Sequence, residues 1–248
     1  MNKKVSIITV VLNEGDYFKW TLESIRDQKY DNIEYIVVDG GSEDNTLNLI
    51  ETYKDVISRW ITEPDEGLYY AMNKGLSMAS GEYVMFLNAG DMFFNDDVLH
   101  HIFSCCTQDA DVYYGKTMII DRQGRELGMR RLQAPKQLTW RSLKNGMIVC
   151  HQSFIAKRSI VPFYNTRFRI ASDYLWVLQT LQQAKKIINT EIIISRFLEG
   201  GINKYNIVRA NWERFIIMTG KFGFFPAMFR HFIIIPRFIY YFIKHKRF

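Results

Sequence analysis

The strongest constraint on this 248-residue chain is the alternation of strand-like and helix-like segments across its first ninety residues. Val5–Leu12 is a continuous, largely β-branched run, the pattern of a strand covered on both faces. Tyr17 to Gln28 repeats apolar residues at Phe18, Leu22 and Ile25, as one face of a helix does. Ile33–Val38 is a second strand, and Gly40-Gly41-Ser42 a tight turn. Asp44 can cap a helix running through Tyr53. Val56–Ile61 reads as a third strand. Gly67 to Ala79 is helical, with Leu68, Ala71, Met72, Leu76 and Ala79 on one side, and Tyr83–Leu87 closes the pattern. Such alternation predicts an α/β fold, a mostly parallel central sheet flanked by helices.

That architecture makes the strand ends informative, because open α/β sheets bind ligands beyond the carboxyl ends of their strands. Asn13 and Glu14 follow the first strand and Asp39 the second. Asp65 follows the third, and Asn88 with Asp91 the fourth. Asp39 can accept a hydrogen bond from a base N–H or a ribose hydroxyl, or simply shape its own turn. Asp91 can hold a hard divalent cation that in turn bridges a diphosphate. Asp173, in Ala171-Ser172-Asp173-Tyr174, is either a first-turn helix carboxylate or a general base.

Several classes fall away. Gly40-Gly41 does not form G-x-G-x-x-G, so the dinucleotide-binding reading fails. No P-loop, Gly-x-Ser-x-Gly elbow or zinc pattern occurs. Cys105, Cys106 and Cys150 have no metal-type spacing and fit unpaired thiols in a reducing compartment. The apolar run after Lys3-Lys4 is short and ends at Asn13-Glu14-Gly15-Asp16, so it reads as a buried strand rather than a signal peptide.

After residue 110 the rhythm changes. Val112–Asp121 and Glu126–Arg131 read as a hairpin around Arg122-Gln123-Gly124. His151–Ala156 reads as a short strand, Ser172 as the cap of a helix reaching Gln183, and Ile187–Phe197 as a strand. No repeat or linker divides residues 1–205, which form one expected domain. Residues 206–248 form a separate tail. The net charge of +6 belongs to that tail. No acid follows Glu213, whereas seven cations do, and taking those seven from 32 leaves 25 basic residues against 26 acidic. A near-neutral body argues against nucleic-acid binding. Arg230, Pro236 and Arg237 break the apolar tail well short of the ~20 residues of a membrane span. Aromatics mixed with cations suit a helix lying at a membrane surface, with packing on the body or a homo-oligomer as the alternative.

The runs VSIITVVLNE, VDGGSEDNT, EPDEGLYYAMNKG, GEYVMFLNAGD and HQSFIAKR…ASDY, in this order, resemble the family 2 glycosyltransferases with the A-type fold. More narrowly they resemble bacterial exopolysaccharide enzymes of the colanic acid type. The match covers about residues 4–203, including Glu199-Gly200-Gly201-Ile202-Asn203. The resemblance implies inverting transfer from a nucleoside-diphosphate sugar, a UDP-sugar, to a hydroxyl of a lipid-linked saccharide in surface polysaccharide synthesis. The enzyme would be peripheral on the cytoplasmic face of the membrane. By similarity, Val10, Leu12, Asn13 and Glu14 frame the base, and Asp39, Gly40 and Ser42 form the uracil-contacting turn. Asp65 and Lys74 lie near diphosphate or ribose. Asn88 and Asp91 match the metal motif, Asp91 as ligand of Mg²⁺ or Mn²⁺. His151 matches a recurrent histidine that contacts acceptor or metal, and Asp173 matches the catalytic base. Two departures stand out: Asn88-Ala89-Gly90-Asp91 where Asp-x-Asp or Asp-Asp is common, and Tyr70 where relatives carry aspartate. They motivate a rival reading, a catalytically inactive sugar-nucleotide-binding scaffold.

Overall fold

The computed structural model describes residues 3–105, 109–200 and 206–245. Cys106, the Gly201-Ile202-Asn203 part of the late motif, and Lys246 and Arg247 lie outside them, as does the expected domain boundary at 205. The elements run β1 (Val5–Val11), α1 (Gly15–Arg26), β2 (Ile33–Asp39), α2 (Thr46–Thr52), β3 (Arg59–Thr62), α3 (Leu68–Met78), β4 (Tyr83–Phe86), β5 (Met92–Phe93) and α4 (Val98–His100). Then follow β6 (Val112–Ile120), β7 (Glu126–Met129), β8 (Phe154–Lys157), α5 (Ser172–Gln183), β9 (Ile187–Leu198), α6 (Ile207–Phe222) and α7 (Phe224–His245).

These strands form one sheet in the order β3-β2-β1-β4-β8-β6-β9-β5, with β7 paired to β6. The pairs β1–β2, β1–β4, β2–β3 and β6–β9 are parallel. β8 enters antiparallel between β4 and β6, and β5 and β7 are antiparallel to β9 and β6. β1 to β4, β6 and β9 therefore share one direction, as the expected parallel core requires. Alternate residues of the central strands enter two separate cores. Ile8, Val10, Ile36 and Val38 pack beneath α3, while Val5, Ile7, Tyr35 and Val37 meet Phe18, Leu22 and Ile25 of α1. Both faces being covered is why these strands read as unbroken apolar runs.

Register brings the strand ends together. Val11 pairs with Asp39, and Asp39 with Thr62, so the loops after β1, β2 and β3 leave the sheet side by side. α3 lies so close to this layer that a Cβ at Gly75 would run into Ile8. Gly90, at φ +90°, turns the chain after β4, and a Cβ there would fall 2.6 Å from Leu198 Cδ2. Only glycine fits both demands.

Some local readings shift. Val56 closes a turn onto the Tyr53 carbonyl, so the third strand begins at Arg59. Asn45 rather than Asp44 is the cap residue of α2; Asp44, just before it, accepts from Thr46 N at 3.0 Å and ties in α1 through Gly15 N at 2.9 Å. His151–Ser153 is a 3-10 turn rather than strand, closed by Ser153 N to Cys150 O. Ser172 is the first residue of α5, not its cap, and its hydroxyl donates to Asn165 O. α6 is no free tail. It buries Ala210, Glu213, Ile217 and Met218, and its Phe222 stacks on Trp140.

Candidate active site

A cavity of about 460 Å³ opens at the carboxyl ends of β1, β2 and β4, within the range of small-molecule sites. Val10, Leu12, Glu14, Gly40, Asp65, Asn88, Asp91, His151 and Asp173 all line it, so nine of the residues expected from sequence converge. Asn13, Asp39, Ser42 and Lys74 stand behind them. Asn13, at φ 52°, donates its N–H to Ser42 Oγ and accepts from Glu43 N, which joins the loops after β1 and β2. Asp39 is fully buried and accepts the N–H groups of Gly41 and Ser42. It shapes the turn that presents Gly40. Lys74 bridges Glu63 and Asp65, each at 2.6 Å, and so fixes one oxygen of Asp65, whose Oδ2 has no partner. Tyr70 is exposed and does not line the cavity.

Asp91 is 4% exposed. Its Oδ1 accepts from Leu198 N at 3.0 Å and its Oδ2 from Gln152 Nε2 at 2.8 Å. Burial pushes its carboxyl up to about 7, against those two donors and the nearby His151. Among the described residues, no three His, Cys, Asp or Glu side chains gather as a ready metal site. The buried Asn88 Oδ1 and His151 Nε2 are nevertheless unpartnered, and each Asp91 oxygen keeps a lone pair beyond its single donor. An oxygen-rich, incomplete set of this kind fits a hard cation whose remaining ligands come from phosphate and water.

Asp173 stands in the first turn of α5 and lines the same cavity. Its Oδ1 accepts from Tyr174 N at 2.7 Å and lies 3.4 Å from Tyr69 Oη; its Oδ2 is 3.6 Å from His151 Nδ1. Burial raises the proton affinity of this carboxyl, but the His151 imidazole, the Arg214 guanidinium and the Tyr174 N–H together hold it below its ordinary value. A buried carboxylate kept ionised beside an open cavity can take a proton.

Sequence reasoning passed over Gln152, Tyr69, Arg122 and Arg169, which also line the site or touch its key groups. Gln152 had a signal, as the neighbour of His151. Glu213 and Arg214 of α6 had only the position of Glu213 as the last acid of the chain.

Comparison with known proteins adds the family and the fold. An uncharacterized glycosyltransferase of Mycobacterium tuberculosis is 33% identical over 184 residues, covering 71% of this chain and 68% of the relative. The putative teichuronic acid biosynthesis glycosyltransferase TuaG of Bacillus subtilis is 26% identical over 84% of this chain and 85% of its own. In fold, the chain is similar to S. aureus TarS in complex with UDP-GlcNAc, with TM-score 0.68, 18% identity, and coverage of 87% of this chain and 66% of that one. It is also similar to the mannosyltransferase PcManGT of Pyrobaculum calidifontis in complex with GDP-Man and Mn²⁺, with TM-score 0.66, 15% identity, and coverage of 93% and 70%. The Glycosyl transferase family 2 profile matches residues 6–162, and the chain belongs to that family.

Proposed function

We propose that this glycosyltransferase moves one sugar from a UDP-sugar to a hydroxyl of a lipid-linked saccharide, with inversion, in the synthesis of a bacterial surface polysaccharide. The observation that carries the reading is the single cavity. It is lined both by the strand-end residues Asp65, Asn88 and Asp91 and by an ionised Asp173. The loops after β1 and β2 frame the base, with Leu12 and Gly40 as walls. Arg122, exposed in the β6–β7 turn, meets the negative diphosphate. The TuaG likeness supports a place in surface polysaccharide synthesis, and the UDP-GlcNAc bound to TarS supports a UDP-sugar donor.

In the reaction, the acceptor hydroxyl gives its proton to an Asp173 oxygen while its own oxygen bonds to the anomeric carbon. The bond from that carbon to the diphosphate breaks on the opposite face, and the diphosphate leaves with the electron pair. One carboxylate is sufficient for a single displacement, so the paired carboxylates of hydrolases are not needed. Asn88, Asp91 and His151 Nε2 would hold the Mg²⁺ or Mn²⁺, which when bound neutralises charge on the leaving group. Incubation with Mn²⁺, a panel of nucleotide sugars and membrane lipid extract tests the proposal. UDP release with one sugar is the expected result; no release with any donor would refute transferase activity. Refutation would favour the second reading, a nucleotide-sugar-binding scaffold, which the two protein donors already engaging Asp91 support.

The C-terminal helices are proposed to hold the enzyme at the cytoplasmic membrane surface, where a lipid-linked acceptor resides. Trp212, Phe225, Phe229 and Phe232 are exposed on them, and no acid follows Glu213. Among the described residues, no helix is long and apolar enough to cross a membrane. α6 is packed into the body and α7 docks on it through buried Ala227 and the Phe215–His231 contact, so the truncation tested begins after Gly223 and keeps α6. Truncation there is expected to release the protein from sedimented membranes and to preserve UDP affinity. Undiminished sedimentation would contradict the membrane role and turn attention to a homo-oligomer contact.

A further inference from the structure

α6 holds the turn beside the reaction site through Glu213. Glu213 is 5% exposed, and its two oxygens accept four hydrogen bonds. Oε1 takes Arg169 N at 3.1 Å and Arg209 Nε at 2.8 Å; Oε2 takes Ile170 N at 2.8 Å and Ala171 N at 3.0 Å. Those three peptides form the turn that leads into α5, and Asp173 is two residues beyond it. Arg169 and Ile170 themselves line the cavity. The other side of the turn is held as well, since Tyr69 Oη donates to Ile170 O at 2.8 Å. The turn is thus clamped through its N–H groups by the C-terminal segment and through a carbonyl by α3.

Only a carboxylate meets this set of donors. Both of its oxygens accept, whereas a glutamine presents one acceptor and an NH₂ that confronts N–H groups of its own kind. The three peptide N–H groups are buried or partly so, and a donor left without an acceptor there is unfavourable enough to rearrange the turn. Shifting the turn moves the first residues of α5 relative to Tyr69, His151 and the cavity wall.

We propose that Glu213 is a positioning residue for glycosyl transfer: by fixing the Arg169–Ala171 turn it sets the place of Asp173, so that α6 is part of the active site rather than an appendage. The proposal rests on Asp173 being the base. Arg214, next along the helix, contributes in the same direction, because its positive charge acts on Asp173. The donor contacts proposed above come from the loops after β1 to β4 and from Arg122, none of which Glu213 touches.

The test compares Glu213→Gln, Glu213→Asp and Asp173→Asn in the full-length protein, with turnover expressed per UDP-binding site measured by titration. Glu213→Gln is expected to lower kcat per site by ~10–100-fold, the scale of a small misplacement of a catalytic group. The donor KM should stay within about twofold, as expected when only a transition-state contact is lost. Glu213→Asp keeps the charge on a shorter stem and should fall between Gln and wild type. If Glu213→Gln does not fold, Glu213→Asp decides alone. Normal turnover per binding site in the Glu213 variants, with Asp173→Asn inactive, would overturn the proposal. A fall in kcat matched by a rise in donor KM would also overturn it, by showing a general structural role. Turnover surviving in Asp173→Asn would instead remove the base assignment beneath it.

Discussion

Replacing Asp173 with asparagine is expected to lower kcat by ~10²–10⁴-fold, the usual contribution of a positioned general base. The amide is nearly the same size, and its oxygen can still accept from Tyr174 N, as Asp173 Oδ1 does at 2.7 Å. What it cannot do is take a proton from the acceptor hydroxyl. The donor contacts proposed above do not include Asp173, so UDP affinity should change by no more than about twofold. Isothermal titration with UDP beside a release assay separates the two effects. Because the folded carboxyl is held below its ordinary value, it stays ionised through the weakly acidic range. The acid limb of wild-type activity attributable to this group should therefore fall below the usual carboxylate region. The same shift stabilises the fold above the unfolded carboxylate's pKa, and this contribution is lost as pH falls through the folded value.

Asp91→Asn has the opposite consequence for stability and an equally large one for turnover. In wild type, burial raises this carboxyl to about 7. Below an unfolded value of roughly 3.9 both states hold the proton, and the group is neutral in its effect. Between there and about 7 the unfolded chain has released the proton and the folded chain has kept it, so the fold weakens as pH rises. Above 7 the penalty is constant, corresponding to about 4 kcal/mol at most. Asparagine removes it, since Leu198 N can still donate to the amide oxygen and Gln152 can turn to meet the amide nitrogen. Without metal, the variant is expected to melt above wild type at pH 8 and to converge with it near pH 4. Calorimetry at the two pH values checks this. With metal and donor, turnover should drop ~10²-fold or more, because a charge worth several kcal/mol to the leaving diphosphate is no longer anchored. Full turnover in the variant would remove Asp91 from the metal site.

The parts of the molecule that were legible in the sequence share a physical property: they are local or periodic. Continuous apolar runs gave the doubly covered strands, and helical spacing gave α1 and α3. Parallel register follows from that alternation, so the strand-end residues Asn88, Asp91 and Asp65 could be collected at one edge before any coordinates. The order of the later strands was not legible, because β8 inserts antiparallel between β4 and β6 by tertiary pairing. Asp39 shows the ambiguity of a strand-end carboxylate: the residue type that can contact a ligand also shapes its own turn here, and the sequence pattern does not separate the two uses. Glu213 shows the reverse. A helical acid in a basic segment looks like ordinary surface, and its burial against a turn forty residues earlier depends on how α6 docks. Gln152 lay in a quoted motif, but its partner Asp91 is 61 residues away.

The account depends most on a single displacement with Asp173 as its only carboxylate actor. The anomeric configuration of the product tests this directly. With an α-linked UDP-sugar and its acceptor, proton NMR of the purified product should show a β-linkage. An α-linked product would contradict the account, since a single displacement inverts the anomeric centre.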